Sequence, residues 1–223
     1  MAIKVTFLHV GDDSALAEKM VQSVIKAIKG AEIVQLTDML TEPVKGVHSV
    51  IRKPYDGNLM TFRMLHLAEL KGEWITLDTD VIVLKDLSEV FKQDFDVALT
   101  KRTGPILDNN GIDIARIMPY NTGVMFSKNQ MFWKSAYKTL VQMPAETHKW
   151  YGDQLSVRIT ADSTTLKVLE LDCEQYNYTP NTADERKDCY VLHFKGNRKD
   201  WMLNGNYDIQ RATNSRRKLV KPR

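Results

Sequence analysis

Two aspartates, Asp78 and Asp80, interrupt an otherwise apolar run from Trp74 to Leu84. Such a run predicts a buried strand, and burying carboxylates is costly unless something cationic meets them. Positions i and i+2 of an extended chain project to one side, so both carboxylates would be offered to one point in space. Their mutual repulsion would raise one pKa unless a hard divalent cation sat between them. The chemistry this suggests is a metal ion holding a phosphorylated substrate, with a third ligand supplied from elsewhere in the chain.

Three later segments offer partners. Tyr120-Asn121-Thr122-Gly123-Val124 sets a polar amide and a glycine at the entry of an apolar strand, where a backbone can approach a ligand closely. Gly152-Asp153-Gln154-Leu155 puts an acid and an amide at a helix start, where they could face a substrate or simply complement the helix dipole. His193-Phe194-Lys195-Gly196-Asn197-Arg198-Lys199-Asp200-Trp201 ends a predicted strand with a histidine, then a glycine turn and a lysine. A neutral imidazole could complete the metal shell, and Lys199 could neutralise a phosphate.

The elements that must position these groups alternate between strand and helix. Residues 5–10 read as a buried strand, followed by Gly11-Asp12-Asp13-Ser14, in which Asp13 or Ser14 can cap a helix. Leu16, Met20, Val24 and Ile28 recur every fourth residue, and Gly30 can end that helix. Residues 32–36 predict a second strand, the Pro- and Gly-bearing stretch up to Gly57 a loop, and residues 58–70 a helix leading through Gly72 into the acidic strand. Further strands are expected at 95–100, 121–127, 166–171 and 189–194, with helices near 87–91, 129–142 and 152–160 and a loop over 102–119. This order predicts an α/β domain with a mostly parallel central sheet flanked by helices. In such sheets ligands bind beyond the carboxyl ends of the strands, where Asp12 and Asp78 both fall.

At 223 residues and 43% hydrophobic content, the chain can bury a substantial core, and we expect one domain over residues 1–205. Residues 206–223 form a basic tail. Its last 13 residues, 211–223, carry six Lys or Arg and no acid, so the net +3 of the chain leaves −3 for everything before them. The body is therefore not a basic nucleic-acid surface, although the tail could be an electrostatic arm or a solvated terminus. No apolar run is long enough to suggest a signal core or a membrane span, which predicts a cytoplasmic protein. Cys173 and Cys189 lack metal-site or redox spacing and read as reduced, buried thiols.

Taken together, these segments resemble the glycosyltransferases of the GT-A fold, a Rossmann-like architecture, and most closely retaining family 8, which includes glycogenin and lipopolysaccharide galactosyltransferases. The matching elements run in the family's order. They are Asp12-Asp13, Arg63 within Thr61-Phe62-Arg63-Met64-Leu65, Asp78-Thr79-Asp80, Asn121-Thr122-Gly123-Val124, Asp153-Gln154, and His193-x-x-Gly196-x-x-Lys199-x-Trp201. The resemblance covers about residues 4–201, and the last motif is the most specific. Asp200 stands where the family usually has proline.

The resemblance implies that Asp78, Asp80 and His193 bind Mn2+ or Mg2+, which bridges the phosphates of a nucleotide sugar, a UDP-sugar in the first instance. It further implies that Asp12, with Asp13 beside it, helps to hold the nucleoside, and that Gly196 and Lys199 meet the diphosphate. Arg63, Asn121, Asp153 and Gln154 would line the sugar pocket. Transfer of a hexose with retention would follow, by same-face attack, because the Gln154 amide is a poor nucleophile. The acceptor stays open among a glycan, a protein and modified DNA reached through the tail. Two rival readings are an aspartyl phosphatase or phosphotransferase with Asp78 as nucleophile, and a noncatalytic nucleotide-sugar or nucleic-acid-binding protein.

Overall fold

The computed structural model describes residues 3–107, 111–148, 151–185 and 187–205. The basic tail expected over 206–223 lies outside the described residues. Strands β1 (Lys4–Leu8), β2 (Glu32–Thr37), β3 (Ser49–Arg52), β4 (Trp74–Leu77), β5 (Val81–Val83), β6 (Val97–Lys101), β7 (Tyr120–Ser127), β8 (Val168–Asp172) and β9 (Val191–His193) alternate with helices. The helices are α1 (Ala15–Ala27), α2 (Leu59–Glu69), α3 (Ile114–Ile117), α4 (Gln130–Gln142), α5 (Gly152–Ser163), α6 (Cys173–Tyr176) and α7 (Lys199–Asn204). Among the described residues, seven strands form one sheet in the order β3-β2-β1-β4-β7-β6-β8, and β5 pairs with β9 in a separate two-stranded sheet.

The central sheet is mostly parallel, as the alternation of elements implies. Strand β7 is the exception, running antiparallel to both β4 and β6. One face of the sheet carries the core built with Met20, Val21 and Val24 of α1, and the other packs against Met64 and Leu67 of α2, Trp133 of α4 and Val157 of α5. Asn58 caps α2, its side chain accepting the Thr61 N–H at 3.0 Å. Helix α1 behaves differently from the expected cap. The Ser14 hydroxyl donates to Glu18 at 2.7 Å instead of meeting the backbone, and Asp13 accepts the Ala15 N–H at 3.2 Å.

The acidic run is not one strand. The chain leaves the main sheet after Leu77, turns through Asp78-Thr79-Asp80, and re-enters extended structure as β5 in the small sheet. The two carboxylates are thus presented by a turn, a more economical solution than a strand interior because the acids sit at the rim of the core. The loop expected before Gly57 contains β3, whose burial pattern is mostly exposed, as suits an edge strand with little apolar signal. The 102–119 loop contains α3 as a single helical turn.

Helix α1 supports the small sheet directly. The Ser23 hydroxyl accepts the Val83 N–H at 2.9 Å, and Lys19 Nζ donates to the carbonyls of Met202 and Leu203 at the end of α7. Both cysteines are free and buried, and burial pushes the Cys189 thiol up to about 11. No described helix is long and apolar enough to cross a membrane.

His66 on α2 is a buried imidazole, only 1% exposed and edge-on to Phe62. Burial first, and the Lys53 ammonium second, hold it down to about 4. It folds neutral, so its contribution is complete above pH 6.5 and is lost as the pH falls towards 4. Between pH 7 and pH 5 this should cost about 2 kcal/mol of stability. Urea denaturation at the two pH values checks it, because His66→Phe should flatten that part of the pH dependence.

Candidate active site

The acidic turn lies beyond the carboxyl end of β4, beside β1, which runs parallel to it. Strand β9 brings His193, the third candidate ligand. Its register pairs His193 with Val81, and the Phe194 N–H donates to the Asp80 carbonyl at 2.8 Å. His193 Nε2 consequently sits 3.1 Å from Asp80 Oδ1 and 3.6 Å from Asp78 Oδ2. One ligand atom from each of the three residues lies within 4.8 Å of the others.

The orientation of the imidazole follows from its neighbours. Asn177, fully buried after α6, directs its Nδ2 at the Thr100 hydroxyl (2.8 Å) and the Asn121 carbonyl (3.3 Å). A carbonyl can only accept, so the amide NH2 belongs on that side and Oδ1 faces His193 Nδ1 at 2.7 Å. Nδ1 therefore carries the proton, and in a neutral ring Nε2 would turn its lone pair towards the two carboxylates, whereas without a cation between them a proton on Nε2 would be shared with Asp80. With Nε2 unprotonated the three groups would be converging acceptors suited to a cation, and octahedral ligation at about 2.1 Å puts neighbouring ligand atoms about 3 Å apart. An all-oxygen pair with one imidazole suits a hard or borderline divalent ion.

Backbone geometry makes room for this ring. Against β6, the register of β7 jumps between Leu99 and Thr100, whose partners are Met125 and Asn121, so Thr122, Gly123 and Val124 arch out of the ladder. The Thr100 hydroxyl spans the gap by donating to the Asn121 carbonyl at 2.7 Å. In that arch the Gly123 carbonyl accepts the Asp78 N–H at 2.9 Å. A Cβ on Gly123 would stand 2.3 Å from His193 Cε1 and 2.5 Å from Nδ1, so only glycine lets the imidazole lie against the strand.

Arg63 joins the Asp78-Asp80-His193 cluster to a second group of residues. Its Nη2 lies 2.7 Å from Asp78 Oδ1 and its Nη1 3.1 Å from Asp153 Oδ2, with both Arg63 and Asp153 buried. Thr122 completes the knot, its carbonyl accepting from Nη2 at 2.7 Å and its hydroxyl donating to Asp153 at 3.0 Å. Burial would depress the guanidinium pKa, but Asp78 and Asp153 outweigh it and raise it. Burial pushes Asp78 up against the opposing pull of Arg63 and His193. For Asp80 burial acts the same way, but the hydrogen bond and charge of His193 and the charge of Lys199 overcome it and hold the carboxyl down.

Lys199 opens α7 and places Nζ 3.5 Å from Asp80 Oδ2, with its side chain about half exposed. Asp200 does not prevent that approach. It occupies the first turn of α7, where an acid complements the helix dipole. Gly196 provides the turn with φ of +59°.

Other expected residues stand apart from the cluster. Asp12 and Asp13 are exposed at the end of the β1 loop, and the Asp13 carboxylate is used by the α1 backbone. The Asn121 amide oxygen accepts the Gly123 N–H at 3.0 Å. Gln154 Oε1 accepts from Arg102 Nη2 at 2.7 Å. Asn177 and Arg102 escaped the sequence reading. Arg102 sat in an apparent loop, and Asn177 lies between two tyrosines with no periodicity to mark it as buried.

No protein-family model matches the chain, and no curated protein matches it. Solved structures do. Glycosyltransferase GlyE of Streptococcus pneumoniae TIGR4 is similar over 92% of this chain and 61% of its own, with a TM-score of 0.60 and 15% identity. The bifunctional glycosyltransferase WbbM matches over 87% of this chain and 46% of its own, with a TM-score of 0.55 and 15% identity. Galactosyltransferase LgtC, solved with donor and acceptor sugar analogs, matches over 87% of this chain and 88% of its own, with a TM-score of 0.53 and 15% identity. The chain thus spans about half of WbbM and three fifths of GlyE, and it shares the fold of these glycosyltransferases.

Gly123→Ala should displace His193 and weaken Mn2+ binding by about 10- to 100-fold, read by electron paramagnetic resonance titration. Unchanged affinity would show that the ring does not depend on the arch. Arg63→Met leaves Asp153 buried and unpaired, so it should lower stability by about 3–5 kcal/mol in urea denaturation, with partial recovery in the Arg63→Met/Asp153→Leu double variant.

Proposed function

We propose that this protein is a metal-dependent glycosyltransferase that moves a hexose from a nucleoside diphosphate sugar, UDP-linked, with retention of configuration, in the manner of family 8. The observation that carries this reading is the convergence of Asp78, Asp80 and His193 Nε2 at the carboxyl edge of a glycosyltransferase-like sheet. Mn2+ or Mg2+ held there would supply Lewis-acid stabilisation of the leaving diphosphate.

The chain's own residues do the rest. Lys199, next to Asp80, offers its ammonium to the diphosphate oxygens as negative charge accumulates on them. Arg63 locks Asp153 beside Thr122 so that the carboxylate keeps one orientation towards the sugar hydroxyls. The Gln154 amide, held by Arg102, lines the same pocket as a positioning group, which favours same-face attack over a covalent intermediate. Asp12, with Asp13, borders the nucleoside end, and Gly196 lets the turn approach the phosphates.

The aspartyl-phosphatase reading asks for a free Asp78 nucleophile, whereas Arg63 and His193 engage its carboxylate. Neither that reading nor a noncatalytic role is favoured by the fold likeness, and the nucleic-acid reading rests on a tail outside the described residues.

Asp80→Asn and His193→Ala should abolish Mn2+-stimulated release of nucleoside diphosphate from a panel of nucleotide sugars while leaving the circular dichroism spectrum intact. Full activity in either would refute these ligands. Lys199→Ala should lower kcat with little change in KM, and an unaltered turnover number would remove it from the chemistry.

A further inference from the structure

A cleft of about 200 Å³ opens beside the metal cluster, lined by residues that include Arg102, Ile106, Glu174, Asn177, Thr179 and Lys195. It touches both halves of the site. Asn177 on its wall is the residue bonded to His193 Nδ1, and Arg102 is the residue bonded to Gln154. Its size, below the roughly 300 Å³ of pockets for drug-sized ligands, suits one sugar residue or a small anion and not an extended chain.

The charges in the cleft do not balance. Arg102 spends its donors on neutral acceptors, the carbonyls of Met118 and Tyr120 and the amide of Gln154, and its buried Nε has no partner. Lys195 is half-buried, and among the described residues no carboxylate pairs with either cation. The acid on the wall, Glu174, is already taken by an ion pair with Lys187. Asp78 and Asp80 act on Lys195, and Asp153 on Arg102, only from beyond ion-pair distance, so the two partly desolvated cations on one small concavity keep a field that an anion in direct contact would neutralise, and Lys195 has the donor that can turn to reach it.

We propose that this cleft receives the acceptor, that the acceptor carries a phosphate or a carboxylate, and that Lys195 selects for that charge. The inference rests on the glycosyltransferase reading for the word acceptor. The charge preference of the cleft does not. Arg102 acts here as a fixed positive charge and as the positioning residue for Gln154.

The test is binding of glucose 6-phosphate, glucuronate and glucose to the full chain, without donor, by ligand-observed NMR. At least one of the two anions should bind about tenfold or more tightly than glucose, and the tighter of the two identifies the anionic group. That preference should disappear in Lys195→Met and persist in Lys195→Arg. Equal binding of all three, no binding by any, or a preference that survives Lys195→Met would overturn the proposal. An anion preference in a protein that releases no nucleoside diphosphate would sink the transferase reading and leave the charged cleft standing. Release supported equally by neutral and anionic acceptors would do the opposite.

Discussion

One guanidinium holds the site together. Arg63 lies between Asp78 and Asp153, residues on different elements and 75 positions apart in the chain, with Arg63 and Asp153 shielded from water and Asp78 part-exposed at the rim. A buried carboxylate such as Asp153 has no stable place in this core without it. The same contact fixes the distance between the acidic turn and helix α5. Thr122 adds directional hydrogen bonds to both partners, so the pair has one geometry instead of a range.

The Asp78-Asp80-His193 cluster is built by a device separate from the main sheet. The chain steps out of β4, turns through the two aspartates, and lets a short β5–β9 ladder deliver a histidine from the far end of the sequence. The main sheet contributes an irregularity: a bulged strand whose glycine leaves space for the ring, with Thr100 and Asn177 satisfying the carbonyl that the bulge exposes. Bulges are often found next to active sites because they re-aim groups without ending the strand.

Much of this was legible in the residues, for identifiable reasons. The amphipathic period of α1 and the apolar runs of β1, β4 and β7 announced themselves because each buries a continuous face. The acidic pair was visible as a contradiction within such a run. What pattern cannot convey is direction. Nothing in residues 120–127 distinguishes a parallel from an antiparallel strand, and the break between Leu77 and Val81 is hidden because both sides of it are apolar. Strand β3 escaped since an exposed edge strand lacks a core-facing stripe. Asn177 and Arg102 escaped since their importance lies in which buried groups they satisfy, a relation that exists only after the chain has folded.

The lysine on the first helix gives the architecture a temporal order. Lys19 closes the carbonyl end of α7, 183 residues further on, and Ser23 on the same helix steadies the ladder that carries His193. During synthesis the amino-terminal strands and helices can assemble as they emerge, yet the corner that brings His193 to Asp78 and Asp80 stays open until nearly all of the described chain has left the ribosome. A growing polypeptide of this design can pair its first strands early, but it completes both the core under α1 and the acid-histidine corner last.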